Sequence, residues 1–182
     1  MLCNKLLVLS SLFLATLAQL PREVASGDQS AKFVNKHSDS SVRSYTLGTE
    51  NIFVPFVAVN GSEHEEWDLS KTQGGYTIEN VATGGFIKAD VCGVRPSNFI
   101  VLDSLTSCKD KRLVTTESDG DATTFAISTA GEGSYVIKLP YEDLVWTVQD
   151  PVNYQGAVML SRSVGSDAQL WYLDKVDECY VD

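Results

Sequence analysis

Apolar and polar positions alternate in short runs along most of this chain, and turn-forming residues separate the runs. Residues 144–148 (L-V-W-T-V) are apolar and β-branched, which suits a half-buried pleated surface. Asp150-Pro151 starts a turn, residues 157–161 form a second strand, Gly165-Ser166-Asp167 turns again, and residues 169–173 close as a third strand. Upstream, residues 75–81 and 133–139 each follow a glycine turn, alternate, and lead into another strand; residues 31–35 are a weaker copy. Residues 42–47 alternate, residues 53–59 carry Pro55 and so belong at an edge or bulge, and Thr83-Gly84-Gly85 turns the chain into a strand ending at Asp90. No long stretch keeps a period of 3.6, so the pattern predicts an all-β protein.

One unit recurs. Residues 165–173 run as a turn, then Gln169, Leu170, Trp171 and an apolar strand. Residues 60–69 (N-G-S-E-H-E-E-W-D-L) repeat that order with Glu65 and Trp67, and residues 119–127 repeat it with Thr123 and Phe125. The three aromatics lie about 58 and about 46 residues apart, a spacing that holds a few strands and their turns. A single unit of this kind cannot bury its apolar face alone. Three of them, spanning roughly residues 31–70, 74–128 and 132–175, share one core if they close around an axis.

The Q-x-W ending of residues 169–171, and its drifted copies at Glu65–Trp67 and Thr123–Phe125, resemble the repeats of the ricin-type (ricin B-like) β-trefoil lectins, including secreted fungal lectins of that fold. The resemblance implies an all-β trefoil of three repeats around a pseudo-threefold axis, with Trp67, Phe125 and Trp171 facing one another at the centre. It also implies that the polar residue two before each aromatic ties a neighbouring loop. The family's sugar sites carry an aspartate at the end of each repeat's second strand. Here Tyr45, Lys88 and Thr147 take that place, with Asp90 and Asp150 two or three residues on. Repeat three alone keeps Gln-x-Trp and gathers a carboxylate, an amide and an aromatic, so the resemblance puts a carbohydrate site at Asp150, Asn153, Tyr154 and Gln169. The alternative is a structural Asp-Pro turn beside a surface tyrosine.

The amino terminus changes the picture of where the chain goes. Lys5 followed by an apolar run to Thr16-Leu17-Ala18 reads as a signal peptide, residues 1–18. The run is short of the ~18–20 apolar residues that span a bilayer. Residues 19–30 are polar and turn-rich and read as a flexible segment, leaving 31–182 as one trefoil domain, a monomer. Secretion makes Asn60-Gly61-Ser62 both a tight turn and a glycosylation sequon at Asn60; an unoccupied Asn-Gly turn is the alternative. Of four cysteines, Cys3 leaves with the leader. Cys92 and Cys108 flank a predicted hairpin, and a bridge between them would stabilise by about 3 kcal/mol. Cys179 is then left over, or else pairs with one of them.

Charge and chemistry narrow the function. The net charge of −10 lacks the basic footprint of a nucleic-acid binder and the polybasic patch of a membrane-surface protein. His37 and His64 are the only histidines, and Glu63-His64-Glu65-Glu66 is not metalloprotease spacing. No nucleophile elbow, phosphate cradle or C-x-x-C pair is present, and Asp119-Gly120-Asp121 reads as a turn and not a calcium loop. No metal, cofactor or catalytic residue is therefore expected. The leading expectation is a non-catalytic, secreted carbohydrate-binding protein whose partners are glycans. The alternative is a trefoil protease inhibitor presenting the long basic loop of residues 104–116.

Overall fold

The computed structural model describes residues 29–55, 62–90, 111–149 and 155–176. Repeat one holds β1 (Gln29–Asn35), β2 (Ser40–Ser41), β3 (Gly48–Asn51), β4 (Phe53–Pro55) and β5 (Trp67–Thr72). Repeat two holds β6 (Gly75–Asn80), β7 (Phe86–Asp90), β8 (Lys111–Thr116) and β9 (Ala126–Gly131). Repeat three holds β10 (Ser134–Lys138), β11 (Leu144–Val148), β12 (Gln155–Arg162) and β13 (Trp171–Lys175). Before each closing strand sits one turn of 3-10 helix: Glu63–Glu65, Asp119–Asp121 and Asp167–Gln169.

The first and last strands of the repeats pair in a ring. β1 pairs with β5 and β13, β5 with β6, β9 with β10, and β10 with β13. The ring closes between β6 and the start of β9, where Tyr76 and Phe125 exchange both backbone hydrogen bonds, at 2.8 and 2.9 Å. A closed ring leaves no unpaired edge. The remaining strands cap one end. β3 pairs with β8, β8 with β12, and β12 with β4, so the interrupted strand of repeat one changes partner at Ile52. Ile52 donates to Leu113 O and accepts from Val158 N, both at 3.0 Å. This is the β-trefoil.

The register fixes which residues correspond between repeats. Phe33, Ile78 and Ile137 form one fully buried layer; Ile52, Leu113 and Val158 form another. The closing aromatics Trp67, Phe125 and Trp171 are also sealed from solvent. A further buried ring packs against two of them. Trp146 stands 5.3 Å from Phe125, 5.4 Å from Phe33 and 5.8 Å from Trp171, mostly edge to face. Its counterparts are Val42 and Ile87, so repeat three supplies the bulk that the other two second strands do not.

Several local expectations shift. Residues 42–47 do not form a strand; only Arg43 bridges to Phe53, because the chain bends at Thr46-Leu47. Thr46 O accepts there from Ser44 Oγ and Thr115 Oγ1, at 3.0 and 2.7 Å. The last strand starts at Trp171, since Gln169 N and Leu170 N bond back to Ser166 and Asp167 in a 3-10 turn. Residues 111–116 of the expected basic loop form strand β8 instead, and Leu113 within it is fully buried. β1 begins at Gln29, two residues inside the segment expected to be flexible.

Candidate functional site

The pairing of each first strand with the next run sets the equivalence of the repeats. Val34 faces Ser41, Glu79 faces Phe86, and Lys138 faces Val145, each pair seven residues apart. Two residues beyond those partners stand Arg43, Lys88 and Thr147. Arg43, and not Tyr45, is therefore the repeat-one counterpart of Lys88; Tyr45 corresponds to Asp90 and Gln149. The irregular backbone of residues 42–47 hides this from an alternation count, whereas the constant seven-residue spacing would have revealed it.

At that level each repeat solves the same problem with different chemistry. In repeat three, Gln169 Nε2 donates to Thr147 Oγ1 (3.0 Å) and Arg162 O (2.9 Å), and its Oε1 accepts from Val164 N (2.8 Å) and Gly165 N (3.0 Å). The side chain is 2 % exposed, with its amide fully engaged, so Gln169 holds a loop and does not face a sugar. In repeat one, Glu65 Oε2 takes Arg43 Nη2 at 2.7 Å, and its Oε1 takes Lys32 Nζ at 2.7 Å. In repeat two, Thr123 Oγ1 accepts only the Ala89 N–H, at 2.9 Å, among the contacts of described residues.

A second tie was not legible in advance. Asn35 Nδ2 bonds Ala168 O and Leu170 O, and its Oδ1 accepts from His37 N and Ser38 N. Asn80 does the same to His64 O and Glu66 O, with Thr83 capping its Oδ1. Each asparagine thus sews the 3-10 turn of the preceding repeat to its own. Leu139 occupies the third position. The signal was an asparagine ending the first strand, with Ser38 or Thr83 three residues later.

The surface around Lys88 is concave. A cleft of about 440 Å³ lies between Leu47 of repeat one and Lys88, Asp90, Val114, Thr116, Glu117 and Ser118 of repeat two. Leu47 reaches it because residue 85 is glycine: a Cβ there would lie 2.4 Å from Leu47 Cδ2. Arg112 Nη2 holds Asp90 Oδ2 at 2.8 Å, and Lys88 Nζ lies 3.6 Å from Asp121 Oδ2. The walls offer an ammonium, two carboxylates and hydroxyls beside one apolar face. In repeat one the matching surface is aromatic. Half-exposed Tyr45 packs against Phe53 at 5.6 Å and edge-on to His64 at 4.7 Å, and its hydroxyl accepts from Arg43 Nη1 at 3.1 Å. His64 is part-buried, and its Nδ1–H donates to Ser44 O at 2.9 Å.

Other sequence-based site residues fall elsewhere. Asp150, Asn153, Tyr154, Asn60, Cys92, Cys108, Cys179 and the leader lie outside the described residues. Asp119-Gly120-Asp121 forms an exposed 3-10 turn.

No protein-family model matches the chain, and no curated protein matches it. Among solved structures, a ricin B-like lectin from Macrolepiota procera in complex with lactose aligns over 84 % of this chain and 99 % of its own, with 16 % identity and a TM-score of 0.62. The designed threefold-symmetric protein ThreeFoil aligns over 81 % of this chain and 99 % of its own, at 18 % identity and a TM-score of 0.59. An exo-β-1,3-galactanase from Clostridium thermocellum aligns over 81 % of this chain but only 30 % of its own, at 20 % identity and a TM-score of 0.59. The chain shares the β-trefoil architecture of ricin B-like lectins.

Proposed function

We propose that this chain is a secreted, non-catalytic carbohydrate-binding protein. The observation that carries the reading is the cleft between repeats one and two, set in a fold shared over most of its length with a lectin that holds lactose. Its carboxylates, ammonium and hydroxyls can exchange hydrogen bonds with sugar hydroxyls, and Leu47 can meet a C–H face. Arg43, Lys88 and Thr147 stand where the family's aspartate is expected. Recognition therefore rests on other acceptors, Asp90 and Glu117 in repeat two, and each contact is weak, so repeated sites gain by avidity. The leader at residues 1–18 supports secretion, and with it the proposals of a glycan on Asn60 and a Cys92–Cys108 bridge.

The protein secreted from a eukaryotic host, deglycosylated and applied to an array of immobilised saccharides, tests the reading. Binding that Glu117→Gln combined with Asp90→Asn weakens at least tenfold supports it. No saccharide binding at any concentration refutes it. Intact mass and non-reducing peptide maps of the same sample report leader removal, the glycan and the disulfide.

A further inference from the structure

The turn joining β10 to β11 places a large side chain where the backbone resists one. Leu139 O accepts from Glu142 N at 3.3 Å, with Pro140 and Tyr141 at the two central positions. Tyr141 has φ +65°, a left-handed conformation that favours glycine or asparagine and is costly for a bulky residue. Its side chain is 102 % exposed, so no packing in the described fold compensates the strain. This turn is also the one that breaks the pattern of the other two repeats: Leu139 stands where Asn35 and Asn80 tie their turns. Strained residues that the fold does not use cluster at binding sites.

The surroundings point to a ligand class. Glu142 and Asp143 follow directly and are exposed. Leu144 pairs with Arg162, so the 163–166 loop leaves the same end of the β11–β12 pair as this turn. That loop is fixed by Gln169 Oε1 on its Val164 and Gly165 amides, and it presents Val164 at 75 % exposure. Tyr141 and Val164 are the two most exposed large apolar side chains among the described residues. An exposed aromatic face, an apolar side chain and carboxylates together match the amphipathic surface of a pyranose: ring C–H groups on the aromatic, hydroxyls on the acids. We propose that the Tyr141–Asp143 turn and Val164 form a second saccharide contact site in repeat three, for neutral sugars. This rests on the carbohydrate-binding reading and adds a site that shares no residue with the Lys88 cleft.

The test is an amide-resolved NMR titration of the full secreted chain with lactose, chitotriose and mannotriose, on wild type, Tyr141→Asn and Tyr141→Phe. Asparagine tolerates the left-handed conformation, so Tyr141→Asn should melt at the same temperature as wild type or higher. It should nevertheless lose saturable shifts at Glu142 and Val164, with at least tenfold weaker affinity there, while Tyr141→Phe keeps them. A sugar that perturbs the Lys88–Ser118 cleft but leaves the turn unmoved overturns the second site and leaves the lectin reading standing. Turn shifts retained in Tyr141→Asn also overturn it. If none of the three sugars perturbs the turn amides, the second site is overturned, and the array decides the carbohydrate-binding reading separately.

Discussion

Replacing Glu65 by glutamine removes one charge from a pair that the fold holds almost dry. The Arg43 and Glu65 side chains are 3 % and 7 % exposed and meet at 2.7 Å. In Glu65→Gln the guanidinium stays buried against a neutral amide, and removing one partner of such a pair typically costs ~3–5 kcal/mol. Lys32, the other cation on Glu65, is 28 % exposed and keeps Glu66 at 3.7 Å, so it adds little to that figure. Repeat three shows the neutral solution to the same geometry, Thr147 with Gln169 at 3.0 Å. Grafting it as Arg43→Thr with Glu65→Gln removes both charges together. Arg43→Thr alone leaves Glu65 without one cation and Tyr45 without its donor, and should cost ~2–4 kcal/mol. The double variant should then cost less than the sum of the two by ~2–3 kcal/mol, the coupling expected of groups in one network. Urea unfolding at pH 7 with a constant m-value measures all four corners of the cycle. A Glu65→Gln cost under about 1 kcal/mol, or single costs that simply add, would show that the pair is not the buried lock described above.

Trp171→Ala should cost ~3–5 kcal/mol as a buried large aromatic. Trp171→Phe should cost about 1 kcal/mol more than Trp146→Phe, because Trp171 Nε1 donates to Trp146 O whereas Trp146 Nε1 has no acceptor among the described residues; chemical denaturation of the two variants makes the comparison. Asn80→Ala strips the tie between the first two repeats and should cost ~2–4 kcal/mol, seen as a lowered urea midpoint; a cost below about 0.5 kcal/mol would mean the tie is idle. Burial, and then Asp68 across the strand pair, raises the Glu79 pKa above the ordinary glutamate value. The folded state therefore holds that proton more tightly than the unfolded chain, and this group's contribution is full below about pH 4 and falls as pH rises past it. Glu79→Gln should accordingly raise the melting temperature at pH 7 and lose that advantage at pH 3, and melts that show the reverse would contradict the sign.

The two levels of information divide along the range of the interactions. Turn chemistry and the two-residue period act between near neighbours, and for that reason the Leu144–Val148 strand, the glycine turns opening repeats two and three, and the recurring turn-aromatic unit could all be read from the chain. Recurrence of the unit implied a shared core, since one copy cannot bury its own apolar face; that the core is a trefoil was implied by the resemblance of Gln169-Leu170-Trp171 to ricin-type repeats. What occupies each repeat's polar positions could be listed but not interpreted. Gln169 looked like a sugar ligand until the fold placed Val164, Gly165, Thr147 and Arg162 around its amide. Arg43 was overlooked, because its importance comes from Glu65, 22 residues away. Trp146 reads as one more strand residue; only closing the barrel puts it among Phe33, Phe125 and Trp171. The cleft exists because Leu47 of one repeat leans over Gly85 and β8 of the next, a contact between surfaces that neither segment's own sequence can encode without the other.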